Sequence, residues 1–370
     1  MARLDSLSVL LDPSGKMLLA EAYKGVLDNV QKSAISTQLK NTDLSGDPTS
    51  GTVEAKRFAN ATSKAYGNAR TNGKGDGIVG KPVTVAIDQD REFVEEVSQK
   101  DISLLGVDGL VAKRSANHAM RLTAELDGAF FAVAKAEGVA FIPTESEIPD
   151  KIEEAIVALE SFKNDYIDGV DRSLMAVVCT PKTYSAVRKY LDTSVNNANV
   201  DTAAESFNKF HGVDCYSSVR LPAGIDFIVM VKGSIAQPVR STPYAAERIP
   251  LSEDMAIEMF FYYGTKAVTP ETIFYYGVAA GLTLTSAEGS SSGKTKITVA
   301  QSKEATSNTY AYKTAATVEM PLTGVAPTGF STWDGSADIT ATKGNELVIV
   351  ELDSDGNVVK GGKVKVTAKA

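Results

Sequence analysis

Residues 52–101 separate their charges in a way that few folds can absorb. From Lys56 to Lys81 six basic side chains (Lys56, Arg57, Lys64, Arg70, Lys74, Lys81) face one acid, Asp76, for a net of +5. From Asp88 to Asp101 six acids (Asp88, Asp90, Glu92, Glu95, Glu96, Asp101) face Arg91 and Lys100, for a net of −4. The stretch "TNGKGDGIVGKP" reads as a flexible, turn-rich tip. After it, Val83, Val85 and Ile87 alternate as one face of a strand. A long two-stranded excursion of this kind cannot bury a core of its own, so it needs a further surface to lie on.

The bulk numbers remove several classes. At 370 residues the chain is long enough for two or three domains. Its 43% hydrophobic and 23% charged content is that of a globular protein. A net charge of −8 argues against a protein that simply coats nucleic acid, for which a basic excess is expected. No window holds ~20 apolar residues, so no membrane span is expected. The start, "MARLDSLSVLLDPSGK", lacks the basic and apolar regions of a signal peptide, so the expected setting is a reducing cytoplasm. Cys179 and Cys215 sit in apolar, strand-like runs and read as reduced core thiols. With His118 and His211 as the only histidines, no metal-ligand spacing is present. Cys179 with His211 could form a nucleophile–base pair, but neither has catalytic context; a packed thiol and a surface imidazole are the better reading.

Periodicity places the elements. Leu18, Ala22, Val26, Val30 and Ala34 have helical spacing. Asp108 to Gly138 reads as one helix, capped by Asp108 and stopped by Gly138, about 45 Å long. Its expected apolar stripe is Ala112, Ala116, Ala119, Met120, Leu126, Phe130, Val133 and Ala134; its expected polar face is Arg114, His118, Arg121 and Glu125. A helix from Ile148 to about Tyr166, a buried strand in "SLMAVVCT", and a helix with Thr180 as cap and Pro181 at its first position follow. "VDCYSSV" and "DFIVMVKG" read as strands, and "MAIEMFFYYGTKAVTPETIFYYGVAAGLTL" as two long strands meeting at Thr269-Pro270-Glu271. Beyond Ser286 the texture becomes Thr-, Lys-, Gly- and Val-rich. Short alternating strands there read as an all-β sandwich with Trp333 in or near its core.

Three motifs imitate chemistry. "EGSSSGKTK" ends in Gly293-Lys294-Thr295, but a phosphate-binding loop needs glycine where Glu288 stands and a helix where "TKITVAQ" reads as a strand. It reads as a Gly/Ser linker. Gly75-Asp76-Gly77-Ile78-Val79-Gly80 has dinucleotide-motif spacing but precedes Pro82 and a strand, so it is a loop tip. Asp353-Ser354-Asp355-Gly356-Asn357 lacks the later Gly and Glu of a calcium loop, where Val358 and Val364 stand, and reads as a hairpin turn. Glu95/Glu96 and Glu153/Glu154 are sequence neighbours that share no helix face. No catalytic, cofactor or metal constellation remains.

The order of parts resembles the Hong Kong 97-type major capsid proteins of tailed bacteriophages. The resemblance rests on the hairpin "GTVEAKRFANATSKAYGNARTNGKGDGIVGKPVTVAIDQDREFVEEVSQKD", the helix "DGLVAKRSANHAMRLTAELDGAFFAVAKAEG", "VVCTPKTYSAVRKYL" and "HGVDCYSSVRLPAGIDFIVMVKGSIAQPV". It covers roughly residues 1–286. It implies an α+β fold: N-arm 1–50, extended E-loop 51–102, P-domain with a spine helix 103–148, A-domain 149–240 and P-domain return strands 241–286. A linker, 287–294, and an immunoglobulin-like β domain, 295–370, complete it, the latter similar to domains carried on the outer surface of some capsids.

The resemblance also implies a role: hexamers and pentamers of one chain forming an icosahedral shell around double-stranded DNA, in the virion and, during assembly, in the host cytoplasm. Portal and scaffold proteins are further partners it implies. The chain's start at Met1, with no helical scaffold segment ahead of the arm, leads to the expectation that no large N-terminal piece is removed. In the family the E-loop lies across a neighbour. Lys56, Arg57, Lys64, Arg70, Lys74 and Lys81 are therefore expected on an acidic strip such as Glu145, Glu147, Asp150, Glu153 and Glu154. Lys113, Arg114, His118 and Arg121 on the spine helix are candidates for sequence-independent phosphate contact, beside the plain reading of a solvated helix face. No Lys–Asn crosslink is expected, because no three positions match that chemistry. Two other classes stay open: an encapsulin-like compartment shell, and an enzyme with an accessory β domain.

Overall fold

The computed structural model describes residues 12–67, 77–97, 99–193, 200–201, 206–207, 209–252 and 254–369. They fall into two compact units. The first comprises Met1–Val133, Ser161–Val170 and Val231–Pro270; the second comprises Ala134–Glu160, Asp171–Met230 and Glu271–Ala370. The sandwich therefore groups with the region before it rather than standing as a separate body, and 161–170 leaves the expected A-domain for the first unit.

In the first unit the helix Pro13–Ser33 buries Leu19, Val26 and Val30. A short helix, Ile35–Leu39, follows. Asp127, fully buried on the long helix, accepts the backbone N–H of Ser36 at 2.9 Å and of Ile35 at 3.4 Å. That carboxylate satisfies donors that the start of the short helix leaves open. The strand Met255–Tyr263 alternates buried and half-buried residues, with Met255, Ile257, Met259, Phe261 and Tyr263 turned inward. This period of two packs one sheet face against Val111, Ala119, Leu122 and Leu126 of the long helix. Its neighbours are Val239–Ser241 and Ala245–Arg248, and the nine-residue strand Gln89–Val97, paired in register from Gln89↔Tyr263 to Val97↔Met255.

The long helix runs Gln99–Glu137, nine residues further toward the N-terminus than expected. Gly106 and Asp108 do not stop it: an interior glycine costs about 1 kcal/mol, which an already nucleated helix absorbs. Its burial follows the expected stripe in part. Ala119, Leu126, Phe130 and Ala134 are buried, whereas Ala112, Ala116 and Met120 are exposed and His118, Thr123 and Asp127 are buried instead. Alanine fits either face, and the polar side chains turned inward have partners there.

The excursion leaves from a small sheet. Thr52–Ala55 pairs antiparallel with Val83–Ala86, and Leu44–Ser45 pairs with Thr52–Ala55. Val53, Ala55 and Val85 bury against Ala236 and Val268, so the base borrows its core from elsewhere in the unit. The hairpin continues through the bridge Phe58↔Gly80 and the bonds from Ala59 N to Val79 O and Lys81 N to Arg57 O. The acidic half is not part of it; most of those residues lie on the body strand Gln89–Val97. Gly264 sits against the root: a Cβ there would overlap the Ala86 carbonyl oxygen.

In the second unit a six-stranded sheet runs in the order Val139–Ala140, Ile273–Tyr276, Phe227–Val231, Met175–Cys179, Val213–Ser217, Lys209–Phe210. Met175–Cys179 is buried at every position, the expected texture of a central strand. Helix Ile148–Glu160 buries Ile152, Ile156 and Leu159. It ends six residues before the expected limit, where the chain turns back to the first unit. Helix Pro181–Thr193 has the expected cap: Thr180 Oγ1 accepts the Thr183 N–H at 3.3 Å. The strands Met255–Tyr263 and Ile273–Tyr276 do not form one hairpin. They belong to different sheets, because Lys266–Ala267 and a 3-10 turn at Pro270–Thr272 redirect the chain between them.

Beyond Leu282 two sheets face each other: Leu284–Glu288, Lys294–Val299 and Ile339–Thr340; and Ser331–Trp333, Thr309–Ala315, Glu346–Leu352 and Val358–Lys365. Trp333 is in the core between them, with Leu284, Ile297, Leu347 and Ile349. The expected linker, 287–294, is instead a hairpin end: Leu284–Glu288 pairs with Lys294–Val299, and Gly289 N donates to Lys294 O at 2.9 Å. Glycine and serine suit a tight turn as well as a tether. Asp353–Asn357 is the expected turn, with Asp353 Oδ1 accepting the N–H groups of Asp355 and Asn357.

The sandwich is stitched to the rest of its unit. Thr323 donates from N to Gly277 O and from Oγ1 to Gly224 O, both at 3.0 Å. Ala279 N donates to Pro321 O at 2.8 Å, and Leu282 N to Gly361 O at 3.1 Å. Ala279 packs with Val318, Val348, Val350 and Val358. Gly361 permits that approach, since a Cβ there would lie 2.7 Å from the Ala279 methyl.

Candidate functional site

The excursion exposes a mixed surface. Lys56, Lys64 and Lys81 are exposed, and among them Phe58 (56%), Tyr66 (93%), Ile78 (87%) and Val79 (63%) hold apolar area in water. Apolar residues within a basic hairpin were the signal available for this in the sequence. Arg57 differs from its neighbours. Its guanidinium stacks 4.1 Å from the ring centre of Tyr166, while Asn60 N donates to Asp165 O at 2.9 Å. So Arg57 braces the hairpin against the 161–170 turn rather than reaching outward. Arg70 and Lys74 lie outside the described residues.

Of the five acids expected as a strip, three are exposed: Glu145, Glu147 and Asp150. The other two are engaged. Glu153 meets Arg172 at 2.9 Å and His211 Nδ1 at 2.7 Å. Burial works to raise its pKa, but the bonds from Arg172 and His211 hold it below the ordinary carboxylate value. Glu154 accepts the backbone N–H and the hydroxyl of Thr144; burial works to raise its pKa, but these bonds and that from the Glu145 N–H together hold it below the ordinary carboxylate value.

The expected phosphate-facing set splits as well. Lys113 and Arg121 are exposed on the long helix. Arg114 and His118 point instead at the strand Gln89–Val97. Arg114 bonds both carboxylate oxygens of Glu95, with its Nε at 2.6 Å. His118 is 3% exposed, stacks flat on Phe93 at 4.8 Å, and shares a 2.6 Å hydrogen bond between Nδ1 and the Tyr244 hydroxyl. Its Nε2 lies 3.1 Å from Glu95 Oε2, in ionic contact but without hydrogen-bond alignment. Burial pushes the His118 pKa down, against the pull of Glu95; the Arg114 bond holds Glu95 low; burial raises Tyr244. Glu95 was read in the sequence only as a charge beside Glu96, and Phe93 and Tyr244 were not singled out, because nothing local marks them as partners of helix side chains 19 residues or more away.

Elsewhere the side chains are structural. Cys179 is fully buried, and its thiol is pushed well up by the Cys215 thiol beside it and by burial. That is the reverse of what a nucleophile needs. His211 is taken by Glu153. Among the described residues no group of three His, Cys, Asp or Glu side chains could hold a metal ion, and no helix is long and apolar enough to cross a membrane.

Residues 287–369 match a family described as the S-layer protein SbsC C-terminal domain. No curated protein sequence matches the chain. Among solved structures, the chain is similar to one from Mycobacterium phage Che8, with 20% identity over 61% of this chain and 84% of that one, at a TM-score of 0.48. It is similar to the capsid of the cyanophage P-SCSP1u, with 12% identity over 66% and 87% of the two chains, at 0.49. A virus-like particle from Pyrococcus furiosus is similar at 12% identity over 69% and 97%, at 0.45.

Proposed function

We propose that the chain is the repeating subunit of a closed protein shell, a major capsid protein of the Hong Kong 97 type. Copies of it would form hexamers and pentamers around double-stranded DNA, with the C-terminal sandwich on the outer surface. The observation that carries this reading is the excursion at 52–86. It leaves a shared core and carries exposed cations and four large exposed apolar side chains. Such surface is the mark of an interaction site. Exposed Lys56, Lys64 and Lys81 suit Glu145, Glu147 and Asp150 of a neighbouring copy. Each exposed pair contributes only ~0–1 kcal/mol, so Phe58, Tyr66, Ile78 and Val79 would supply most of the contact. Lys113 and Arg121 are the cations left on the long helix for phosphate contact. The role is structural rather than catalytic.

Electron microscopy of the purified full-length protein tests the reading. Closed icosahedral particles are expected; a protein that stays monomeric across salt and concentration overturns it. Nuclease-protected DNA in particles from the producing cell is the expected sign of a genome shell, and nucleic-acid-free particles would exclude that part.

A further inference from the structure

The Ser/Gly segment that imitates a nucleotide loop does line a groove. Where the 284–299 hairpin turns, the ends of neighbouring sandwich strands border an open groove of about 520 Å³, a volume within the usual range for small-ligand sites. Ser292, Thr340, Thr342, Lys343, Asn345 and Lys369 form its polar wall, and the buried Ala341 and Ala368 line it too.

The frame of this groove is closed by backbone bonds. Gly293 N donates to Lys369 O at 2.9 Å, Ala341 N to Gly293 O at 3.0 Å, and Lys369 N to Lys294 O at 3.0 Å. Among its side chains, Lys369 Nζ donates to Ser290 O at 3.5 Å and Thr314 Oγ1 to Glu346 O at 3.0 Å, while the others are uncommitted. The hydroxyls of Ser292, Thr340 and Thr342, the Asn345 amide and the Lys343 ammonium make no hydrogen bond to the described residues. Two lysines line the groove and no acid does. The adjoining carboxylates are occupied: Asp338 by the Ser290 N–H at 2.6 Å, Glu346 by the Val318 N–H and by Lys363 at 2.9 Å. Residues 287–370 carry nine lysines and nine acids, a net of zero. The charges that line the groove itself are thus the two lysines, within a sandwich of no net charge.

We propose that this groove binds an anionic carbohydrate. The row of hydroxyl and amide groups matches sugar hydroxyls, the small alanines leave room for the C–H face of a ring, and the lysines meet a carboxylate, sulfate or phosphate substituent. A free inorganic anion would leave most of the polar row unused. A protein segment would find no large apolar side chain there to bury against. The site belongs to the sandwich and does not depend on shell formation, so the unassembled full-length chain suffices to test it.

The test is fluorescence polarisation with labelled oligosaccharides bearing uronate, sulfate or phosphate groups, each paired with its neutral counterpart, at low and physiological salt. At least one anionic class is expected to bind, to weaken as salt rises, and to outcompete its neutral counterpart. The double variant Lys343→Ala/Lys369→Ala should bind at least about tenfold more weakly. Thr342→Ala/Asn345→Ala should weaken binding while leaving its salt dependence in place. All four positions are exposed or half-buried, so an unchanged melting temperature is expected. Failure of every anionic member to exceed its neutral partner overturns the proposal. So does unchanged binding by the lysine variant, or inorganic phosphate competing as well as the sugar does.

Discussion

Two β-hairpins in this molecule use the same hydrogen-bonding pattern and end in opposite situations. Glu346–Leu352 with Val358–Lys365 buries both faces. Leu347 and Ile349 enter the sandwich core, and Val348 and Val350 pack with Ala279 on the other side. The excursion, by contrast, buries Val53, Ala55 and Val85 only at its base, and from Phe58 outward its apolar side chains meet water. Strand pairing alone therefore says little about stability; what decides is whether the chain covers the strand faces itself. The first hairpin is completed by the fold. The second keeps large apolar side chains at its surface.

This contrast can be broken most severely by removing residues 289–370. If the sandwich were a tethered ornament, the remainder would fold and assemble. The bonds from Gly277, Ala279 and Leu282 to the sandwich lead to the opposite expectation: insoluble protein and no particles, read by soluble yield and microscopy. Leu347→Ala should cost about 2–5 kcal/mol in denaturant melts of the full chain, as a fully buried leucine does. Asp127→Ala should cost about 1–3 kcal/mol by orphaning the N–H groups of Ile35 and Ser36, with faster hydrogen exchange at those two amides.

A smaller effect is expected from pH. Burial lowers the His118 pKa below its ordinary 6.5, so above that pH both folded and unfolded chains are neutral there. As pH falls through 6.5 the unfolded chain takes up the proton while the folded one resists. Stability then drops by at most about 1.4 kcal/mol per pH unit. Glu95, held below its ordinary 4.5, acts in the same direction but only in more acid solution. Urea midpoints at about pH 7.5 and 5.5 should differ in the native sequence, and the difference should shrink in His118→Gln. Smallest of all for the subunit is the triple change Lys56→Glu, Lys64→Glu, Lys81→Glu. It should move the melting midpoint by less than about 0.5 kcal/mol yet hinder particle formation at moderate salt. Normal particles from that variant would remove the excursion's charges from the assembly surface.

Much of the fold was legible where a local rule decides the outcome. Thr180-Pro181 fixed a helix start, the apolar run at 175–179 marked a central strand, and the alternating runs after Ser286 predicted the sandwich strands. The phase of the long helix was legible only in part. Ala119, Leu126, Phe130 and Ala134 are buried as expected, but Ala112, Ala116 and Met120 also read as core, and three-dimensional partners bury polar side chains instead: Tyr244 and Glu95 take in His118, and Ile35 and Ser36 take in Asp127. The segment 287–294 misled for a related reason. A tether and a tight turn draw on the same residues, and only the pairing of Glu288 with Thr295 tells them apart. For the candidate surfaces, charge order found the excursion, but it could not foresee Arg57 stacked on Tyr166 or Glu153 spent on Arg172.

The root of the excursion carries a last consequence. Gly264 leaves no room for even one carbon beside the Ala86 carbonyl, so two main chains touch where the hairpin departs. The heading of the excursion is thus set partly by backbone against backbone, where no change of neighbouring side chain can make room, and a single added methyl at that crossing would turn the whole arm.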